Sequence, residues 1–226
     1  MTNLERLQKV ADGLDELNEQ VVYVGGTLPG LYVTDTAAPE PRATLDVDCI
    51  VDYGTQAERE LFEKWLRTKH FLEDQGEDAV ICRWNYEGEL VDIMPTNERF
   101  YGFTNKWYKQ GMRSKKVYRL PNGREINILS LVTFVATKLE ALASRGSDDL
   151  RGEKDFEDIV YILDCCPEFV MLLKKEDNQE MKEFVTSQIL ILAARPNIHE
   201  EIGCALPLGD EGREEAVLQT MIACGE

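Results

Sequence analysis

Three short segments hold the residue types that could perform chemistry. A glycine turn, Gly25-Gly26-Thr27, follows the β-branched run at residues 21–24. An acid pair, Asp46 and Asp48, comes next, and Asp92 follows within the apolar stretch Leu-Val-Asp-Ile-Met. Successive side chains of a strand point to opposite faces, so Asp46 and Asp48 are expected to share one face.

Two carboxylates side by side repel each other unless a cation lies between them. Such a pair suits two Mg²⁺ ions, or Mn²⁺, about 3.5–4 Å apart, which would also hold the phosphates of a nucleotide. Asp92, in a neighbouring strand, would be the third ligand and would accept a proton from an attacking hydroxyl. The bare backbone at Gly25 and Gly26 would let a phosphate approach closely, and Thr27 would add a hydroxyl.

Each of these segments also has an ordinary explanation. A glycine pair is most often only a turn. An acid pair arises easily in a chain with 42 acidic residues, and it can lie on a solvated strand edge. The order of glycine turn, acid pair and strand aspartate is far more specific, and it predicts a metal-dependent site for phosphate chemistry.

A sheet is needed to position these residues, and the first half of the chain predicts one. We expect helices at residues 4–17 and 55–68 and strands at 21–24 and 45–52. A hairpin of strands 79–86 and 89–94 is expected around Glu87-Gly88, and two short strands around Pro121-Asn122-Gly123.

The apolar period becomes helical after residue 129. Helices are expected at residues 131–144, 154–164, 176–194 and 211–223. The fold class is therefore expected to be α+β. A mixed sheet with helices would form a catalytic domain in residues 1–128, and residues 129–226 would form a mostly helical domain.

The helical half carries a second group of charged residues. Lys138 and Arg145 are seven residues apart and share a helix face, while Asp155 and Asp158 lie in the first turn of the next helix. Acids at a helix N-terminus and solvated cations are the ordinary explanation, and periodicity alone favours it. A buried Lys138–Asp155 pair with a structural role is a further alternative.

Composition limits the class of protein. The 226 residues carry a formal net charge of −17, which argues against a sequence-specific DNA-binding protein because like charges repel. Metal ions could still hold nucleotide phosphates locally. The chain has no apolar run of membrane-spanning length and no apolar signal core, so a cytoplasmic protein is expected. The six cysteines form no CxxC pair and are expected to be reduced.

The segments resemble those of a known superfamily. The glycine turn, the pattern Arg42-x-Thr44-x-Asp46-x-Asp48 and Asp92 resemble the nucleotidyltransferases with the polymerase-β-type catalytic fold. The AbiEii/AbiGii-type group of toxin–antitoxin and phage-defence systems is the most similar. The segment between Thr27 and Leu45, with Pro39-Glu40-Pro41, is longer than is usual in this superfamily.

The resemblance implies a role for each matching residue. Asp46, Asp48 and Asp92 would hold two Mg²⁺ ions. Lys138 would face the nucleotide phosphates, and Asp155 would organise the site, with Lys154 and Asp158 beside it in the same KD-x-x-D segment. The remaining implied contacts are to the nucleotide, from Gly25, Gly26, Thr27, Arg42, Thr44 and Arg145.

The implied activity is transfer of a nucleoside monophosphate from a triphosphate to a hydroxyl, with release of pyrophosphate. The acceptor would be a tRNA end if the protein is a toxin, or a partner protein if it is an antitoxin. A cognate toxin or antitoxin would then be its binding partner. Two alternatives remain: transfer to a small molecule, as in antibiotic-modifying relatives, and a non-catalytic nucleotide-binding or interaction module. The basic and aromatic residues 106–116 would bind the acceptor, or they form a solvated loop or edge strand.

Overall fold

The computed structural model describes residues 1–76, 80–146, 148–207 and 212–226. The chain divides into two compact units. Met1–Leu28 and Ala43–Ser130 form the first unit, and Pro29–Arg42 and Leu131–Glu226 form the second. Residues 29–42, which we expected in the first domain, thus belong to the helical unit.

The first unit contains a sheet and the helices packed against it. Its elements in the described residues are α1 (Asn3–Leu14), β1 (Val21–Val24), β2 (Asp46–Val51), α3 (Gln56–Thr68), β3 (Leu72–Glu73), β4 (Arg83–Tyr86), β5 (Glu89–Pro95), α4 (Tyr108–Arg113), β6 (Lys116–Arg119) and β7 (Glu125–Ile128). Short 3₁₀ turns at Asp15–Gln20 and Gly25–Thr27 flank β1.

The sheet is mixed, and its central strands carry the candidate site. Among the described residues the strand order is β3-β4-β5-β2-β1-β7-β6. β2 lies between β1, with which it is antiparallel, and β5, with which it is parallel. The expected α+β class with a mixed sheet is therefore confirmed.

Helix α1 begins and ends for local reasons. Thr2 and Glu5 form a capping box at its start, and its buried side chains include Leu7 and Val10. The predicted extent of residues 4–17 was too long, because the backbone turns at Asp15, where φ is 51°. A 3₁₀ turn continues the chain to β1.

The hairpin of β4 and β5 fixes the register of the site. Glu87 and Gly88 both adopt positive φ, of 49° and 87°, which is the backbone of a tight two-residue hairpin turn. Tyr86 then pairs with Glu89, and three residues further along the strands Arg83 pairs with Asp92. The first strand is shorter than predicted, and residue 79 lies outside the described residues.

The second unit consists of helices. Its elements in the described residues are α2 (Pro29–Tyr32), α5 (Leu131–Arg145), α6 (Lys154–Cys165), α7 (Phe169–Lys174), α8 (Gln179–Ala193), α9 (Ile198–Ala205) and α10 (Arg213–Ala223). We did not predict α7 and α9. Helix α8 begins later than predicted, because Asn178 caps it. Residue 211, the predicted start of the last helix, lies outside the described residues.

The long segment between the glycine turn and the acid pair lies on the helices of the second unit. The ring of Tyr32 is 5.3 Å from that of Phe134 in α5. Tyr161 in α6 donates a hydrogen bond to the Pro39 carbonyl at 2.9 Å. Together with the hydrogen bonds from Arg42 to Asp158 in α6, these contacts attach residues 29–42 to the helices.

No helix within the described parts of the chain is both long enough and apolar enough to cross a membrane.

Candidate metal centre

Three aspartates converge at the centre of the sheet. One carboxylate oxygen from each of Asp46, Asp48 and Asp92 lies within 4.8 Å of the other two. Asp46 and Asp48 are partly exposed, whereas Asp92 is buried. Such hard oxygen donors are the type that Mg²⁺ and Mn²⁺ prefer, so the donor set fits a divalent cation of this class.

Strand pairing explains why the three acids meet. β2 and β5 run parallel with Asp48 opposite Asp92, and two residues earlier Asp46 is opposite Leu90. Directly opposed residues project to the same face of a sheet, and so do residues two apart on one strand. The alternation read from the sequence thus predicts the acid pair, and the β2–β5 pairing adds the third carboxylate.

The glycine turn packs directly against the acid pair. Gly25 has φ of +74°, a left-handed conformation that strongly favours glycine. A Cβ at this position would lie 1.9 Å from Asp48 Oδ2 and 2.8 Å from Asp48 Cβ. Both the backbone conformation and the contact with Asp48 therefore require glycine at residue 25.

The Gly25→Ala variant is expected to be less stable than Gly88→Ala by about 1–3 kcal/mol, the usual cost of forcing extra atoms into a packed site. Gly88 is a matched control because its φ is +87° and nothing lies within 4 Å of an added Cβ. Urea unfolding of both variants measures the difference. Equal free energies of unfolding would contradict the close contact between Gly25 and Asp48.

The hydroxyl of Thr27 is buried and unsatisfied among the described residues. The residue is only 2% exposed, and its Oγ1 finds no hydrogen-bond partner among the described residues. Buried polar groups normally have a partner, so an unsatisfied hydroxyl beside a glycine turn is consistent with a position for a ligand oxygen. Gly26 lies in the same turn, and its carbonyl accepts a hydrogen bond from Asn3 at 3.4 Å.

Thr44 holds the acid pair in place. Its hydroxyl donates to Asp46 Oδ1 at 2.7 Å, and its amide donates to Asn3 Oδ1 at 3.1 Å. Asn3, at the start of α1, thus connects the glycine turn to the beginning of the acid strand. We predicted nucleotide contact for Thr44, but in this structure its hydroxyl is directed to a member of the triad.

Arg83 is a member of the site that sequence analysis missed. Its guanidinium donates to both oxygens of Asp92, at 2.8 and 2.7 Å, and lies 3.4 Å from Asp46 Oδ2. The hydrogen bonds to Asp92 raise the pKa of Arg83 above its ordinary value. The signal was present in the sequence, because a two-residue turn at Glu87-Gly88 places Arg83 opposite Asp92.

A second charged network lies within the helical unit. Lys138 Nζ is 2.9 Å from Asp155 Oδ1 and 2.6 Å from Asp158 Oδ2. Arg42 donates to both oxygens of Asp158, at 2.8 and 2.9 Å, and Arg145 bonds to Asp155. The Lys138–Asp155 pair that we considered as a structural alternative is therefore present, and Arg42 and Arg145 belong to the same network.

Lys138 is deeply buried within this network. Burial alone would lower the pKa of Lys138, but the charges of Asp158 and Asp155 outweigh it and leave the pKa raised. The residue is 6% exposed. Both carboxylate contacts are made, and the predicted phosphate role of Lys138 stays a prediction.

Lys154 and the basic stretch at residues 106–116 have more ordinary surroundings. Lys154 is exposed at the start of α6. Trp107 is 3% exposed and lies under the ammonium group of Lys106, which is 4.7 Å from the ring centroid. β6 is the last strand of the sheet. Most of the stretch forms α4, which is neither the loop nor the edge strand that we considered, although its aromatic residue Trp107 reaches the core. Acceptor binding by this stretch stays a prediction.

The cysteines near the triad act as packing residues. All six cysteines are free thiols. Burial and the neighbouring Asp92 carboxylate raise the pKa of Cys82 to about 12, and burial raises the pKa of Cys49 well above its ordinary value. Both thiols are therefore neutral near pH 7, which disfavours them as nucleophiles.

No protein-family model matches the chain, and no curated protein is significantly similar to it. Its function is therefore argued from the site itself.

Proposed function

We propose that this protein is a metal-dependent nucleotidyltransferase of the polymerase-β type. It would transfer a nucleoside monophosphate from a triphosphate to a hydroxyl acceptor, the end of a tRNA or a partner protein, as in toxin–antitoxin and phage-defence systems. The observation that carries the proposal is the convergence of Asp46, Asp48 and Asp92 beside a glycine turn that touches Asp48.

Two further features support phosphate chemistry over a solvated acid cluster. The turn at Gly25–Thr27 packs so closely on Asp48 that a side chain at Gly25 would collide with it, which brings bare backbone next to the acids. The unsatisfied hydroxyl of Thr27 lies in the same turn. A solvated cluster would need neither a tightly packed glycine nor an unpaired buried hydroxyl.

The reaction assigns a task to each element. Mg²⁺ or Mn²⁺ held by the three aspartates supplies, when bound, positive charge that offsets the charge on the phosphates. Thr27 and the turn amides bind the triphosphate, and Asp92 accepts the proton of the attacking hydroxyl. The acceptor oxygen forms a bond to the α-phosphorus, the bond from that phosphorus to the bridging oxygen breaks, and pyrophosphate leaves with the electron pair.

Label transfer tests the proposal. The protein is incubated with Mg²⁺ or Mn²⁺, with each α-labelled nucleoside triphosphate in turn, and with total RNA or a cell extract. We expect label in one macromolecular fraction, dependent on the divalent ion and absent with the Asp46→Asn/Asp48→Asn variant. Label in RNA, in protein or in small molecules separates the three classes of acceptor.

Two outcomes would overturn the proposal. One is no labelled product and no triphosphate binding by the wild type. The other is equal labelling by the wild type and the double variant. Triphosphate binding without transfer, together with partner capture that survives the double substitution, would identify the non-catalytic module instead.

A further inference from the structure

Arg83 is a charged residue within the triad for which the proposed reaction has no task. Its two donors, Nε and Nη2, engage both oxygens of Asp92 in a fork, and Nη2 also approaches Asp46. The side chain is 22% exposed, so it lies at the border of the site and not deep in the core. One arginine thus connects two of the three proposed metal ligands.

This connection has a consequence for the triad without metal. Three carboxylates within 4.8 Å of one another repel strongly, and Asp92 is almost removed from water. A buried carboxylate is costly unless a counter-charge and hydrogen bonds compensate it. Arg83 supplies both, and it keeps Asp92 on the same side as Asp46.

We propose that Arg83 is a resident counter-cation of Asp92 and Asp46 and competes with divalent ions for these two carboxylates in the nucleotide-free protein. The inference rests on the proposed function, because it takes Asp46, Asp48 and Asp92 as the metal ligands. A divalent ion held by these carboxylates would lie close to the guanidinium, and the repulsion between the two positive charges weakens binding of the ion.

A purely structural ion pair would behave differently. It would contribute to the stability of the β4–β5 hairpin, and its loss would lower stability equally with and without a divalent ion. As a counter-cation, Arg83 competes with a divalent ion for the same carboxylates. Its removal therefore tightens ion binding in the nucleotide-free protein, and an added ion restores the stability that was lost.

Binding of Mn²⁺ tests the inference without any measurement of activity. Free Mn²⁺ is followed by electron paramagnetic resonance during titration of the protein, with and without a non-hydrolysable triphosphate analogue. The variants are Arg83→Gln, Arg83→Lys and Arg59→Gln. Arg59 is a matched control in the same unit, because it is a partly buried arginine that bonds to Glu63 at 2.7 Å.

Arg83→Gln should bind Mn²⁺ about tenfold more tightly without the analogue, since one nearby positive charge is gone. Arg83→Lys keeps the charge and should stay within about threefold of the wild type. Arg59→Gln should match the wild type, and Arg83→Gln should show the larger rise in melting temperature on addition of Mn²⁺.

Equal or weaker Mn²⁺ binding by Arg83→Gln would overturn the inference. A loss of stability in Arg83→Gln that saturating Mn²⁺ leaves unchanged would also overturn it, and this measurement applies even where the variant is destabilised. Loss of Mn²⁺ binding in Asp46→Asn alongside an unchanged Arg83→Gln rejects only the role of Arg83. No binding by the wild type, with Asp46→Asn indistinguishable from it, rejects the metal centre and the proposed function.

Discussion

The Asp46→Asn and Asp48→Asn variants are each expected to catalyse nucleotidyl transfer about a thousandfold or more slowly than the wild type. The bound metal ions lower the activation barrier, and each substitution removes a ligand that holds them. Asparagine keeps the volume of aspartate but lacks its charge, so ion binding falls. Both positions are partly exposed, and the amide at residue 46 can still accept from Thr44. The free energy of unfolding should therefore change little.

Single-turnover rates at saturating Mg²⁺ and triphosphate measure this effect. Asp52→Asn is a suitable control, because Asp52 is an exposed acid four residues beyond Asp48 that accepts a hydrogen bond from Thr96. The control should transfer at the wild-type rate. A triad variant that retains more than about a tenth of the activity would be incompatible with metal ligation by that residue.

The Lys138→Met variant is expected to lose about 3–5 kcal/mol of stability, as is usual when one partner of a buried ion pair is removed. Methionine fills similar space but leaves Asp155 and Asp158 without the ammonium group that both contact. Arg42 and Arg145 still bond to these acids, which favours the lower end of the range.

The pH dependence of this contribution has a defined sign. The pKa of Lys138 is raised above its ordinary value of 10.5, so the folded state binds this proton more tightly than the unfolded chain. The stabilisation is fully present below pH 10.5 and is lost as the pH rises through the raised value. The difference between the wild type and Lys138→Met should therefore be constant from about pH 6 to 9.

Urea unfolding at several pH values measures both expectations. Lys154→Met is the matched control, because Lys154 is an exposed lysine on α6. Its stability should stay within about 0.5 kcal/mol of the wild type. If Lys138→Met lowers the free energy of unfolding by less than about 1 kcal/mol, water or a local rearrangement must replace the ammonium group as the partner of Asp155 and Asp158.

The same variant separates the two interpretations of Lys138. If the folded Lys138→Met protein transfers at the wild-type rate, Lys138 has a purely structural role in the wild type. A folded variant with a much lower rate, and with unchanged Mn²⁺ binding, would support the phosphate contact that the superfamily resemblance implies. The structure favours a structural contribution, because both carboxylate contacts are made and the ammonium group is buried.

Arg42 illustrates how a motif residue can serve the fold. It precedes the acid strand in the Arg-x-Thr-x-Asp-x-Asp pattern, and we predicted that it contacts the nucleotide. Its guanidinium forms a two-donor contact with Asp158, which also accepts from Lys138, and the nucleotide contact stays a prediction. Burial alone would lower the pKa of Arg42, but the hydrogen bond and charge of Asp158 raise it.

Local patterns predicted the part of the site that depends on short-range geometry. The alternation of side chains along a strand places Asp46 and Asp48 on one face without knowledge of the rest of the fold. Strong helix periods predicted α5 and α6 within a residue or so at each end. The two-residue strand β3 and the short helices α4, α7 and α9 were missed, because six to eight residues span only about two helical turns and show little of the helical period.

The sequence by itself determined the acid pair, the glycine turn and the α+β class, because strand alternation, helix period and turn preference act over a few residues. Only the tertiary structure decided which side chains oppose one another. The β2–β5 pairing brings Asp92 to Asp48, and the attachment of residues 29–42 to the helices brings Arg42 to Asp158. Contacts between residues far apart in the chain depend on how whole elements pack, which no local pattern records.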